Sequence, residues 1–422
     1  MTFDRRTFLK RGGALGLAGL VGAEAGALAA GGDRAGADAP AESAATADRR
    51  TLAHRVPFDG AHQAGVLTPA PAAGAYVALD AIAPDRAGLA AALQTLSARA
   101  RELSQGTSFT VREVDDPPPD SGTLGTHVAP DGLTVTIGFG SSLFDDRYGL
   151  APGLPRRLRP LGPFPGDRPD PARSHGDVLL QVCAQHRDTV VHAVRELLRP
   201  VRGALALRWM ADGFQSADRG PRADSSRRNL FGFRDGTGNP DPTDAALMDR
   251  LVWVPEGGNE PAWASGGTYV VVRLIRMHVE FWDRVGLREQ ENMIGRRRDT
   301  GAPLGGTREF QDPRYDLDPK GDRIPLDAHI RRANPRDAAT ADQRILRRAY
   351  NYDRGFDAAG QLDQGLIFVA FNQDPVRQFE TIQRRLDGEP MVDYITPVGG
   401  GLFFAPSGAA DPTDWVGSRL LT

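Results

Sequence analysis

Gly232-Phe233-Arg234-Asp235-Gly236-Thr237-Gly238-Asn239-Pro240 sets one carboxylate, Asp235, in a run of turn formers. Gly236, Gly238 and Pro240 disfavour a helix or a central strand there. Glycine also lets backbone amides come close to a bound group. An acid on such a turn suits proton transfer in a pocket, although the same pattern describes a solvated Asx turn. Arg347 and Arg348 open a strand-like run, Arg347-Arg348-Ala349-Tyr350-Asn351-Tyr352. Neighbours on a strand point to opposite faces, so one arginine of the two can face a given pocket. Paired with Asp235, that arginine would favour the ionised carboxylate by direct charge attraction. Two solvated edge arginines are the plainer alternative.

Of eight histidines, His329 stands out by its company, Asp327-Ala328-His329-Ile330-Arg331-Arg332-Ala333-Asn334-Pro335-Arg336. A lone histidine is more often structural than a ligand. No second His or Cys lies three or four residues from it, which disfavours zinc. A single imidazole is what haem iron takes on its proximal side. Clustered arginines offer forks that match carboxylates such as the haem propionates.

The elements that must position these groups are legible from periodicity. Residues 75–82, 133–139, 178–184 and 205–210 read as strands. Asp85 caps a helix with Leu89, Leu93, Leu96, Ala100 and Leu103 on its apolar face, and Asp188 caps another through Val191, Val194, Leu197 and Leu198. The order is βαββαβ, the ferredoxin-like unit. The second half repeats that order, with strands at 269–277, 345–352, 366–371 and 401–405. Its helices lie at 280–293, with Phe281, Trp282, Val285 and Met293 on one face and Gly286 weakening it, and after a capping Asp374, through Phe379, Ile382 and Leu386. An α+β protein of two ferredoxin-like units follows, with sheets packed on each other or covered by helices. The long insertions near 140–175 and 294–344 are candidate functional loops.

The chain has 422 residues, 40% apolar and 25% charged, which is ordinary for a globular protein with a large core. A net charge of -3 argues against nucleic acid as the main partner. The one cysteine, Cys183, excludes an intrachain disulfide and sits in an apolar run, as a buried inert thiol does. Asp4-Arg5-Arg6-Thr7-Phe8-Leu9-Lys10, a Gly- and Ala-rich apolar stretch and Ala27-Leu28-Ala29 form a twin-arginine signal peptide over 1–29. A transmembrane anchor is the alternative, but the stretch is short and carries Glu24. Residues 30–55 read as a disordered linker. The expected domains are then 56–220 and 221–422.

The chain also resembles the dye-decolorizing peroxidases, and within them the exported deferrochelatase/peroxidases of bacterial iron uptake. Beyond Gly232-Phe233-Arg234-Asp235-Gly236, the resemblance is carried by Pro57-Phe58-Asp59-Gly60-Ala61-His62-Gln63-Ala64-Gly65, by Ser141-Ser142-Leu143-Phe144-Asp145-Asp146-Arg147-Tyr148-Gly149-Leu150, by His175-Gly176-Asp177-Val178-Leu179 and by Gly399-Gly400-Gly401-Leu402-Phe403-Phe404-Ala405. It implies a dimeric α/β-barrel-like fold and one haem b per chain in the second half. By resemblance His329 is the proximal ligand, Asp235 the distal acid-base and Arg347 the distal arginine. Gly236, Thr237, Gly238, Arg296, Asn334, Pro335 and Arg336 match haem-contacting segments, and Glu389 is the acid behind the histidine. The implied activity reduces hydrogen peroxide and oxidises dyes, phenols or other small electron donors. The rival reading is an exported haem-binding protein that releases iron from haem alongside ferrous-iron uptake components; a homo-oligomer is compatible with either. Ala349 and Asn351 replace a Gly and a Ser common in the iron-uptake relatives and bear on substrate preference.

Overall fold

The structure is a computed structural model that describes residues 44–110, 112–217, 219 and 225–422. The twin-arginine segment and residues 30–43 of the expected linker lie outside the described residues. Residues 44–422 form one compact unit. In chain order its strands are β1 (Ala73–Ala81), β2 (Thr107–Ser108), β3 (His127–Val128), β4 (Thr134–Gly140), β5 (Val178–Ala184), β6 (Leu205–Phe214), β7 (Thr268–Met277), β8 (Leu346–Arg347), β9 (Tyr350–Phe356), β10 (Leu362–Asn372) and β11 (Ile395–Ala405). The α-helices are α1 (Ala44–Leu52), α2 (Arg86–Gln105), α3 (Arg187–Leu198), α4 (Ala245–Leu251), α5 (Val279–Trp282), α6 (Leu287–Ile294), α7 (His329–Ala333), α8 (Thr381–Arg385) and α9 (Ser418–Leu421).

The two βαββαβ runs do not make two stacked sheets. They merge into one antiparallel sheet, β7-β11-β4-β5-β1-β6-β9-β10-β8, and β7 also pairs with β10. That last pairing closes the sheet into a barrel and removes its open edges. The halves meet where β11 pairs with β4 at Phe403 and Gly140, and where β6 pairs with β9 at Phe214 and Asn351.

Strand alternation then sorts side chains to two faces. Tyr76, Ala78, Val270, Val272, Ile367, Val369 and Phe403 fill the barrel interior. Ala75, Val77, Leu79, Ile137 and Leu180 face outward beneath α2 and α3. Helix α2 is capped as the sequence reads, with Asp85 Oδ1 accepting from Gly88 N at 2.8 Å, and all five predicted apolar residues are buried.

Four local expectations change. Helix α3 begins after His186, not Asp188, because Asp131 accepts from both the His186 backbone (2.9 Å) and ring (2.7 Å) and fixes that residue as the helix start. Its buried face is Val190, Ala193, Val194 and Leu197, which leaves Val191 47% exposed. The helix expected over 280–293 breaks into α5 and α6 at Gly286, whose extended backbone starts α6, and Phe281 is half exposed and stacked on Tyr394. The strand over 345–352 is recorded as two pieces, although one register against β10 runs through both. Part of the expected linker is the helix α1, tied down by Asp48 on His186 at 3.2 Å.

Candidate active site

Residues 228–234 form a tight hairpin that aims Asp235. Arg228 bridges to Arg234, Gly232 N donates to Asn229 O, and Asp235 N donates to Arg227 O at 2.8 Å. Gly232 has φ +84, and a side chain there would collide with the Arg298 guanidinium, 2.6 Å away. The turn therefore needs glycine for its backbone, and a Cβ there would also have to move the Arg298 guanidinium aside. Asn229 Oδ1 accepts from the amides of Phe231 and Phe233, an Asx turn inside the hairpin. Its Nδ2 donates to Asp235 Oδ2 at 3.3 Å.

Arg347 arrives from the sheet. Its Nη2 lies 2.6 Å from Asp235 Oδ1, so a carboxylate and a guanidinium 235 and 347 residues along the chain form one pair. Asn239 clamps the strand end behind it, accepting from Arg347 N at 3.1 Å and donating to Arg347 O at 2.7 Å. Alternation separates the two arginines as the sequence predicts: Arg347 faces the pair, and Arg348 turns into the barrel.

His329 opens helix α7, and its Nδ1 lies 2.7 Å from Oε2 of Glu389, itself buried. That contact leaves Nε2 as the free ring nitrogen. Burial acts to lower the imidazole pKa, but the Glu389 charge and hydrogen bond outweigh it and hold it above the ordinary value. Helix α8 fixes α7 in turn: Arg385 donates to the carbonyls of Arg332 (3.0 Å) and Ala333 (3.1 Å) at the α7 C-terminus.

These groups share one cavity of about 270 Å³. It sits on the outer face of β7, β10 and β11, in the place that α2 and α3 fill in the first half. Ile275, Met277, Leu366, Phe368, Phe379 and Ile395 make its walls apolar. Asp235, Thr237, Gly238, Arg296, His329, Asn334, Arg336, Arg347 and Glu389 all line it. Gly236 instead lines an adjoining cavity of about 260 Å³, and Pro335 lines neither. Arg296 is anchored by donating to Gly301 O (2.7 Å) and Glu309 O (2.8 Å), and burial followed by Arg336 lowers its pKa. Arg336 holds φ +60, a strained conformation for a residue with a side chain.

Sequence reasoning missed Asn229, Asn239 and Glu309. Asn239 was visible inside the motif, but its partner is 108 residues away. Glu309 accepts from Thr237 Oγ1 at 2.9 Å and braces the same turn; nothing local in its sequence marks it.

Residues 63–215 match the family model described as Dyp-type peroxidase, N-terminal, and residues 226–410 match Dyp-type peroxidase, C-terminal. A curated deferrochelatase of Escherichia coli strain K12 is 47% identical over 368 residues, covering 86% of this chain and 87% of that protein. Among solved structures, a DyP-type peroxidase from Cellulomonas bogoriensis is 39% identical with a TM-score of 0.78, covering 88% of this chain and 99% of its own. Ferric DtpA from Streptomyces lividans is 38% identical, also at 0.78, over 88% and 98%.

Proposed function

The chain belongs to the Dyp-type peroxidase family, and on that premise we propose that it is a haem peroxidase in which His329 holds the iron while Asp235 and Arg347 manage the protons and charge of hydrogen peroxide. The observation that carries this reading is the donor set of one apolar cavity. A histidine with Nε2 free, backed by a buried carboxylate, and a separate carboxylate–guanidinium pair both face it. That set fits haem b: an imidazole for the iron, apolar walls for the macrocycle, and Arg296 and Arg336 for carboxylates at its edge. Thr237, Gly238 and Asn334 complete the proposed contacts within 221–422, while Gly236 and Pro335 stand beside the cavity without lining it.

Bound there, haem supplies the iron centre at which peroxide is reduced and one-electron donors such as dyes and phenols are oxidised. Glu389 accepts from His329 Nδ1 and so commits Nε2 to the metal. With haem bound and supplying the two electrons for O–O cleavage, Asp235 would accept a proton from hydrogen peroxide and return it to the peroxide oxygen released as water. Arg347 would stabilise the charge that develops there. Asn229 and Asn239 keep the acid and the arginine in register.

The twin-arginine pattern supports export of the folded, loaded protein to a periplasm or the cell exterior. A second reading has a specific footing, the 47% identity to curated deferrochelatases: release of iron from haem during iron uptake, with ferrous-iron uptake components as partners.

The test is the absorption spectrum of the purified protein before and after one equivalent of peroxide, in wild type, Asp235→Asn and His329→Ala. Wild type shows a Soret band that shifts with peroxide and returns when a donor is added. Asp235→Asn keeps the band and reacts with peroxide at least ~100-fold more slowly. His329→Ala loses or weakens haem binding. Full activity of Asp235→Asn would sink the assignment of the acid, and a Soret band that peroxide leaves unmoved would favour iron release.

A further inference from the structure

Arg348 is 5% exposed and points into the barrel. A guanidinium cannot shed its charge by deprotonation, so burying it requires a counter-charge or a full set of acceptors. Its Nη1 donates to the Thr68 carbonyl, and the Cys183 sulfur and the Tyr350 hydroxyl lie beside it. Among the described residues its Nε and Nη2 are buried and meet no well-formed acceptor. The titratable groups that act on it are Tyr350, Cys183 and Tyr76. None of them is a carboxylate.

Those same tyrosines carry the second observation. Tyr76 is 0% exposed and Tyr350 1%; among the described residues neither buried hydroxyl makes a well-formed hydrogen bond, and the Tyr350 hydroxyl has only the Cys183 thiol and Arg348 beside it. Their rings meet edge-on at 6.1 Å. Gly74 lets Cys183 and Tyr350 pack against its backbone, since a Cβ there would lie 3.1 Å from both Cys183 Sγ and the Tyr350 ring. Burial pushes both phenols well above their ordinary pKa and the Cys183 thiol up as well. At neutral pH all three are therefore neutral, and none supplies the missing negative charge. The guanidinium N–H groups can only donate, and each phenol can turn its O–H the same way, a set that an anion collects. Arg348 also borders the cavity of about 260 Å³ that Asn351 and Gln215 line together with Asp235 and Arg347, the space through which a small ion would reach it from beside the active site.

We propose that Arg348, Tyr76 and Tyr350 form a binding site for a small inorganic monoanion of the halide class inside the barrel, separate from the haem cavity. Its occupant offsets the buried guanidinium and steadies the strand that carries Arg347, the adjacent residue. The proposal does not depend on the haem reading.

Bromide is the probe. Crystals of the haem-loaded protein grown in bromide are expected to show an anomalous peak within hydrogen-bond distance of Arg348 and the two hydroxyls. In solution, chloride is expected to raise the melting midpoint saturably, by on the order of 2 °C or more over gluconate at equal ionic strength. Arg348→Met is expected to abolish that rise whatever it does to basal stability. If Arg348→Met does not fold, Tyr76→Phe and Tyr350→Phe must each weaken the halide dependence, because each removes one donor and keeps the ring. Three results would overturn the proposal: halide only at surface positions as an adventitious ion, a chloride effect that survives in Arg348→Met, or thiolate absorbance near 240 nm at neutral pH that disappears in Cys183→Ser. The last would make Cys183 the counter-charge.

Discussion

Glu389 Oε2 sits 2.7 Å from His329 Nδ1 in a buried site. Glu389→Gln keeps the shape of that contact and removes its charge. Losing such a partner to a metal-bound histidine weakens metal affinity by about 10–100-fold. We expect Glu389→Gln to bind haem and to release it about 10–100-fold faster, read as haem transfer to an excess of apomyoglobin. Unchanged release would mean that Glu389 only fills space. Asp235 and His329 were legible because each stands out by type against its neighbours, an acid among glycines and a histidine among arginines; strand alternation said only that one of Arg347 and Arg348 would face the pocket, and the resemblance chose Arg347. Asn229, Asn239 and Glu309 were not legible. Their work is to hold another residue's backbone or side chain, and for Asn239 and Glu309 the held residue is distant in sequence.

His186 joins two elements. Its ring lies 2.7 Å from Asp131, which is buried, and 3.2 Å from Asp48 on α1. Burial works to lower the imidazole pKa, but Asp131 and then Asp48 outweigh it, and the pKa ends above the ordinary 6.5. A pKa raised on folding means that the native state binds the proton more tightly than the unfolded chain does. The stabilisation is then full below about pH 6.5 and is lost as pH rises through the raised value. We expect the stability difference between wild type and His186→Gln to shrink as pH rises from about 6 to about 9, measured by urea denaturation. A constant difference would show that the ring only packs. The exposed Asp48 arm adds little to this, because solvent screens it. The helix boundary here shows the limit of a local reading. Asp188 has the right chemistry for a cap, yet the start is set by Asp131, brought in from the end of a different loop. Where partners lie within four residues, as for Asp85 and Gly88, the sequence located the cap.

The closed sheet makes the two halves one mechanical object. The boundary expected between residues 220 and 221 would separate two runs of elements along the chain, but β4 pairs with β11 and β6 with β9 across it. Closure depends on β10, which pairs with β9 along one edge and β7 along the other. Gly365 lies in β10 where both pairings meet, opposite Tyr352 and Arg276. A Cβ there would run into the Ile275 carbonyl and lie 2.6 Å from the Tyr352 ring. Backbone on one side and a buried ring on the other leave little room to yield, so Gly365→Ala should cost at least about 1–3 kcal/mol. In a sheet of independent halves, that cost would lower one transition and leave another in place. In a closed barrel it should lower a single transition, by about 1–1.5 °C per kcal/mol for a chain this large. Far-UV ellipticity and tryptophan fluorescence should therefore melt together in both proteins, with Trp209 reporting from β6 in the first half and Trp253, Trp263 and Trp282 from the second. Separation of the two curves in Gly365→Ala would show that β7 and β10 can part while the first half stays folded, and that the site's wall is held by the second half alone.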